Sequence, residues 1–358
     1  MSLLAGSYER FIWGYKLKHL KTATTTTAET LNLTLAPQFS YAAHLSPIKS
    51  ITVSGTVAAS SAGDDTVKLY DLTTSTELGS VLLHSSSATS LSLFGASFFP
   101  TNLIAGATTG DVHIFDIDPF VLLKTVKVHK KSVNDVAVHP SGRVALTVAR
   151  DLRLSMVNLV RGKRSYYSRL ENEVDVVKYF GEGGDKFFMC SGDNVCVHNS
   201  EDARLIAEFE NSKRILCAAP AHNGLIFTGG EDRGITAWDS AAGKVAYQIE
   251  DAHKTRVKGI VVLSRDGNSS SAESPFLVGS ASSDGVIRVW DVRATSKGKS
   301  VPLSEADTKS RLTCLAGTSI KCECFIYLFP GLYVIRLFVF YHLFFFGSMA
   351  STPPRLRK

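Results

Sequence analysis

At 358 residues, 44% of them hydrophobic, the chain can fill one large core or two ordinary ones. Its formal charge of +6 permits an acidic or nucleic-acid partner but does not demand one. Six scattered cysteines behind an N-terminus without a signal peptide argue against a disulfide framework and for reduced thiols in the cytosol or nucleus.

The chain opens with two strand-like runs in "LLAGSYERFIWGYKL" (3–17). A low-complexity loop, "KTATTTTAETLN" (21–32), leads to a further run, "LTLAPQFSYAAH" (33–44). From residue 46 to about 310 one pattern recurs. "SSAGDDTVKLYDLTT" ends a short β-like run at Asp71, and the equivalent positions are Asp116, Asn158, Asn199, Asp239 and Asp291. The interval is about forty residues, stretched before Asp291 by a polar insertion, "SRDGNSSSAES" (264–274).

Each unit has the same grammar. A run such as "VNDVAV" leads through a turn, "HPSG", to a second run, "VALTVA". A tight turn containing Asp follows. The third run alternates, as in "TVKLYD", where Val67 and Leu69 share one face and Lys68 and Tyr70 the other. A fourth, less regular run such as "VAYQIE" completes the unit. Helical periodicity is absent, so the chain is expected to be all-β. Four antiparallel strands per unit, repeated, make blades around a central channel.

Six units are complete, and the N-terminal runs supply three strands of another, with Glu9 at its turn. The missing first strand is expected to be "RLTCLA" (311–316), so that both chain ends meet in one seventh blade and leave no open edge. This predicts a monomeric seven-bladed propeller over residues 1–320, its closing blade drawn from 3–40 and 311–316, with 321–358 outside the fold.

The endings "TAWD" and "RVWD" and the linkers "AHLSPIKSI", "VHKKSVNDV" and "AHKTRVKGI" resemble WD-repeat blades. In that family His, Ser or Thr, Asp and Trp form a hydrogen-bonded chain inside a blade. The resemblance implies such a chain at His253, Ser280, Asp284 and Trp290 in the sixth unit. It implies another at His44, Ser60 and Asp64 in the first, with Tyr70 replacing Trp. The fifth keeps Asp232 and Trp238. The third keeps His129 and Asp151 but has Val157 at the Trp position, so its chain is expected to be incomplete; the closing blade has Tyr15 there. These groups are expected to order turns and to perform no chemistry.

Further pieces, "LLAGSYER", "VHKKSVNDVAVHPSGRVALTV", "VNLVRGKRSYY", "SASSDG" and "RLTCL", resemble one nucleolar WD-repeat family, the p21-activated-kinase-interacting proteins and their fungal and plant relatives. The likeness covers residues 1 to about 320. It implies a role in assembly of the large ribosomal subunit, nuclear and nucleolar residence, pre-ribosomal protein and rRNA partners, and, as an alternative, restraint of p21-activated kinase. Members normally end in a lysine-rich tail. Here an apolar run from 325 to 346 stands in its place.

Three readings of that run compete. Its 22 residues match a membrane-spanning helix, which would make the protein a membrane-anchored adaptor, but Pro330-Gly331 and Arg336 interrupt it. An eighth set of buried strands lacks the unit grammar. A T-rich intron read in frame would also produce runs of Phe, Leu, Ile and Val, and the abrupt loss of likeness at Lys321 favours this reading.

No enzyme signature is visible: there is no G-x-S-x-G, no phosphate-binding loop at Gly243-Lys244 and no His-Glu-x-x-His. Cys322-x-Cys324 and Cys196-x-His198 each lack a second ligand pair, so no metal or other cofactor is expected. Basic clusters are the candidate contact points. Lys130 and Lys131 enter the third unit, Arg161, Lys163 and Arg164 turn within it, and Lys254, Arg256 and Lys258 enter the sixth. They are either solvated turns or an electropositive rim for rRNA and acidic proteins.

Overall fold

A computed structural model describes residues 1–19, 33–83, 86–95, 99–221, 224–263, 277–292 and 301–318. The low-complexity loop, the polar insertion, Cys322, Cys324 and the apolar run lie outside the described residues. Within them the strands form seven four-stranded antiparallel sheets. Six are consecutive meanders. The first, for example, is Ile48–Ser54, Val57–Ala62, Thr66–Asp71 and Thr76–Leu82.

The seventh sheet joins the two ends of the chain. Leu312–Thr318 pairs antiparallel with Ser2–Ser7, which continues to Phe11–His19 and Leu33–Ala42. The strand begins and ends one or two residues later than "RLTCLA". Its innermost position follows from composition. Ser2–Ser7 is buried throughout and needs hydrogen-bonding partners on both edges. The hairpin supplies one edge and Leu312–Thr318 the other. The chain is a closed seven-bladed propeller.

Apolar alternation places the cores between neighbouring blades. Leu3, Ala5 and Tyr15 of the closing blade pack with Leu277, Ala281 and Val289 of the sixth. Leu69 of the first packs with Leu103 and Phe115 of the second. The first strand of each blade lies innermost and contacts its counterparts on both sides, completing the ring. Contact is closest where side chains vanish: a Cβ on Gly259 would lie 2.6 Å from the Leu315 backbone nitrogen.

One buried carboxylate ties three innermost strands together. Asp135, in Val133–Val138, accepts hydrogen bonds from Ser90 Oγ of the second blade at 2.7 Å and the Val177 amide of the fourth at 3.1 Å. Lys178 Nζ lies 2.7 Å from Asp135 Oδ2 and 3.0 Å from Oδ1. Charge-assisted bonds satisfy the acid where burial alone would penalise it.

Candidate functional site

The polar chains within blades are built from four elements: the entering linker, the second strand, the turn after it, and the third strand. In the first blade His44 Nδ1 lies 3.2 Å from Asp64 Oδ2 and 2.9 Å from Thr66 Oγ1. A carboxylate can only accept, so Nδ1 carries the proton and Nε2 accepts from Ser60 Oγ at 2.7 Å. Ser60 Oγ in turn lies 2.8 Å from the Tyr70 hydroxyl. In the third blade His129 bridges Asp151 at 3.0 Å and Thr147 at 2.9 Å. Val157 at the Trp position offers Thr147 no donor, and Thr147 Oγ1 also lies 3.2 Å from the Ser155 carbonyl.

In the sixth blade Trp290 Nε1 donates to Ser280 Oγ at 2.8 Å, and Ser280 Oγ lies 2.7 Å from His253 Nε2. The link to Asp284 is looser. His253 Nδ1 stands 3.8 Å from Asp284 Oδ2, too long for a hydrogen bond. The carboxylate is held instead by the Lys254 and Val286 amides at 3.2 and 3.0 Å.

Three members of these chains escaped the sequence reading. Asn211 stands four residues before its innermost strand, as His44, His129 and His253 do, and donates to Asp232 Oδ2 at 3.2 Å. Thr228 accepts from Trp238 Nε1 at 2.9 Å. Thr147 is the third. Where the aromatic donor is lost, the hydroxyl is usually lost with it. The second blade has Phe115 with Ala105, both buried, and in the fourth the strand registers place His198 with Met189. The third blade is the exception, keeping Thr147 bonded to His129 although Val157 stands at the Trp position.

The basic residues fall on two opposite ends of the ring. Successive turns of an antiparallel sheet alternate ends. Lys130, Lys131, Lys254 and Arg256 lie in linkers, and Lys258 is the second residue of an innermost strand; all belong to the end that carries Asp64, Asp151 and Asp284. Arg161 and Lys163 lie about the turn between the third and fourth strands and belong to the other end. Arg164 is a structural contact on the outermost strand. Its guanidinium donates to the Val128 carbonyl at 2.8 Å and covers the Tyr167 ring at 5.0 Å. No single rim unites the eight.

The family model for the WD domain, G-beta repeat, matches residues 35–71, 120–156 and 246–291. These three stretches are WD40 repeats. The chain is 29% identical over 315 residues to p21-activated protein kinase-interacting protein 1-like of Danio rerio, covering 88% of this chain and 80% of that protein. It is 25% identical over 256 residues to Shk1 kinase-binding protein 15 of Schizosaccharomyces pombe, covering 71% and 70%. Protein MAK11 of Saccharomyces cerevisiae is 24% identical over 235 residues, covering 62% and 56%. Among the described residues no group of three or more His, Cys, Asp or Glu is placed to hold a metal ion, and no helix is long and apolar enough to cross a membrane.

Electrostatics couple these WD40 blades to pH. Burial acts to raise the Asp284 carboxyl, but the nearby His253 ring and the Val286 and Lys254 amides outweigh it and hold the group at about 2. Its unfolded value is about 3.9. A depressed carboxyl stabilises the fold above the unfolded value and loses that contribution as pH falls through the folded one. After allowance for solvent screening the contribution is about 1–2 kcal/mol. Asp284→Asn is therefore expected to flatten the fall in urea midpoint between pH 5 and pH 2. An unchanged pH profile would show that Asp284 contributes nothing. Burial also lowers His44 and His129, which keeps both rings neutral at pH 7.

Proposed function

We propose that this chain is a non-catalytic interaction scaffold serving assembly of the large ribosomal subunit in the nucleolus. The observation that carries this reading is the linker end of the ring. It presents exposed Lys130, Lys131 and Lys254 on linkers held by Asp151 and Asp284, which accept the Lys130 and Lys254 amides, a rigid basic surface. The resemblance to the nucleolar family and the similarity to Protein MAK11 support it. In this reading residues 1–320 form the working domain, the His–Asp chains serve only to hold turns, and 321–358 are dispensable.

Regulation of p21-activated kinase is the second reading. It is favoured by the kinase-binding names of the relatives in Danio rerio and Schizosaccharomyces pombe. Sedimentation separates the two. Under the first reading the full chain co-sediments with large-subunit precursors and is released by salt, because each neutralised phosphate adds to counterion release. Lys130→Ala/Lys131→Ala should release at lower salt, whereas Arg161→Ala/Lys163→Ala, at the opposite end, should behave as the parent. A chain found only with the kinase would support the second reading. A chain retained in carbonate-washed membranes, and freed by deleting 325–346, would replace both with an anchored adaptor.

A further inference from the structure

Three consecutive blades place an arginine immediately before the innermost strand. Arg214 precedes Ile215–Pro220, Arg256 precedes Val257–Leu263, and Arg311 precedes Leu312–Thr318. Because these strands are equivalent neighbours in the ring, the three residues occupy successive places at the linker-end mouth of the central channel. The other four blades hold Pro47, Ser87, Ser132 and Asp175 at this position, so the positive charge is confined to an arc.

The arc is partly held in place. Arg214 Nη2 lies 2.8 Å from Asp175 Oδ2. The Arg311 guanidinium covers the Tyr8 ring at 5.5 Å. Arg256 and Lys258 are half-buried, yet among the described residues neither has a carboxylate within ion-pair distance. Burial and the charges of Arg256, Arg311 and Arg214 push the Lys258 amine below its ordinary range, opposed by Cys217. A half-buried cation among three other cations is a cost to the empty fold that an anion would offset.

We propose that Arg214, Arg256, Lys258 and Arg311 form a binding site for a compact, multiply charged phosphate group. Guanidinium forks match phosphate oxygens two at a time, and three of them on adjacent strands favour a dianion over a single carboxylate. Charge at the borders decides against a nucleic-acid backbone. Asp175 and Glu173 flank the arc on the fourth blade, and within the closing blade Glu9 receives the Arg311 amide at 3.0 Å. A continuous chain of phosphates crossing the mouth would meet these carboxylates. A single group does not. The group has two possible sources, a phosphorylated side chain of a partner or a free small phosphate compound.

The inference rests on the ring being a binding scaffold, and titration of the full chain tests it separately. The probes are pyrophosphate, a Gly-Ser-phosphoserine-Gly-Ser peptide with its unphosphorylated form, and a 12-nucleotide single-stranded RNA, followed calorimetrically at fixed ionic strength. Binding of pyrophosphate or the phosphopeptide, at least tenfold weaker in Arg256→Gln/Lys258→Gln and unchanged in Arg161→Gln/Lys163→Gln, is the expected result. Pyrophosphate alone identifies a free compound as the source. The phosphopeptide alone identifies a partner's side chain, and its unphosphorylated form should not bind. In phosphate-free buffer the double variant should melt at or above the parent temperature, which shows that it folds. No phosphate binding, or RNA binding that the double variant weakens while leaving pyrophosphate untouched, overturns the site. Pyrophosphate binding by a chain that ignores ribosomal precursors would overturn the assembly reading and leave this site standing.

Discussion

Truncation after residue 318 is expected to leave a cooperatively unfolding protein, whereas truncation after residue 311 should abolish cooperative unfolding and cause aggregation. The difference is the seven-residue strand Leu312–Thr318. Without it Ser2–Ser7 loses the partner along one whole edge, and the innermost strands of the first and sixth blades lose the neighbour between them. Leu312 and Leu315 also leave the core shared with the sixth blade. Burying the two leucines contributes about 3–6 kcal/mol before any hydrogen bond is counted, comparable to the whole stability of many domains. The exposed edge then offers a template for another chain. Size-exclusion chromatography and urea unfolding of the two truncations provide the measurement. Matching behaviour would mean that the ring closes without this strand.

Asp64→Ala carries the largest effect expected of a single substitution in the polar chains. Asp64 accepts from the Leu45 amide at 2.7 Å, from Thr66 Oγ1 at 2.6 Å and from His44. The acid is 8% exposed, and the His44 side chain is fully buried. Removal leaves the Leu45 amide and the Thr66 hydroxyl without their acceptor and the buried His44 N–H with Thr66 Oγ1 alone, for a loss of about 1–3 kcal/mol. Thr109, at the equivalent turn of the second blade, bonds only Asp111 and is exposed. Thr109→Ala should lie within about 0.5 kcal/mol of the parent. Urea midpoints of the pair measure both, and equal midpoints would show that the buried chain does not carry the turn.

Much of this architecture was legible because it repeats. Asp71, Asp239 and Asp291 mark the ends of third strands at a regular interval, and the unpaired N-terminal runs required a strand from elsewhere. The substitutions inside the polar chains were harder to see. Asn211 replaces a histidine with a shorter side chain that still carries a donor, and only its position four residues before the strand betrays it. Asp135 could not be found by local reading, since its partners Ser90 and Lys178 belong to other blades. The division of basic residues between the two ends was available in principle. Counting turns from Lys130 to Arg161 assigns them to opposite ends, but grouping residues by charge alone hides that parity. The arc at Arg214, Arg256 and Arg311 was missed for a related reason: the three are neighbours in the ring and distant in the chain.

The shared closing blade also sets a schedule for synthesis. The strand Ser2–Ser7 leaves the ribosome before the other described strands of the ring, and its edge partner begins at Leu312, about 300 residues later. At roughly 5–20 residues per second the N-terminal hairpin must wait about 15–60 s with one buried-type edge open. The intervening meanders can each complete their sheets as they emerge, but the first strand of the molecule cannot. A holding chaperone that recognises extended apolar segments would therefore find its natural client in "SLLAGS", during translation and not after it.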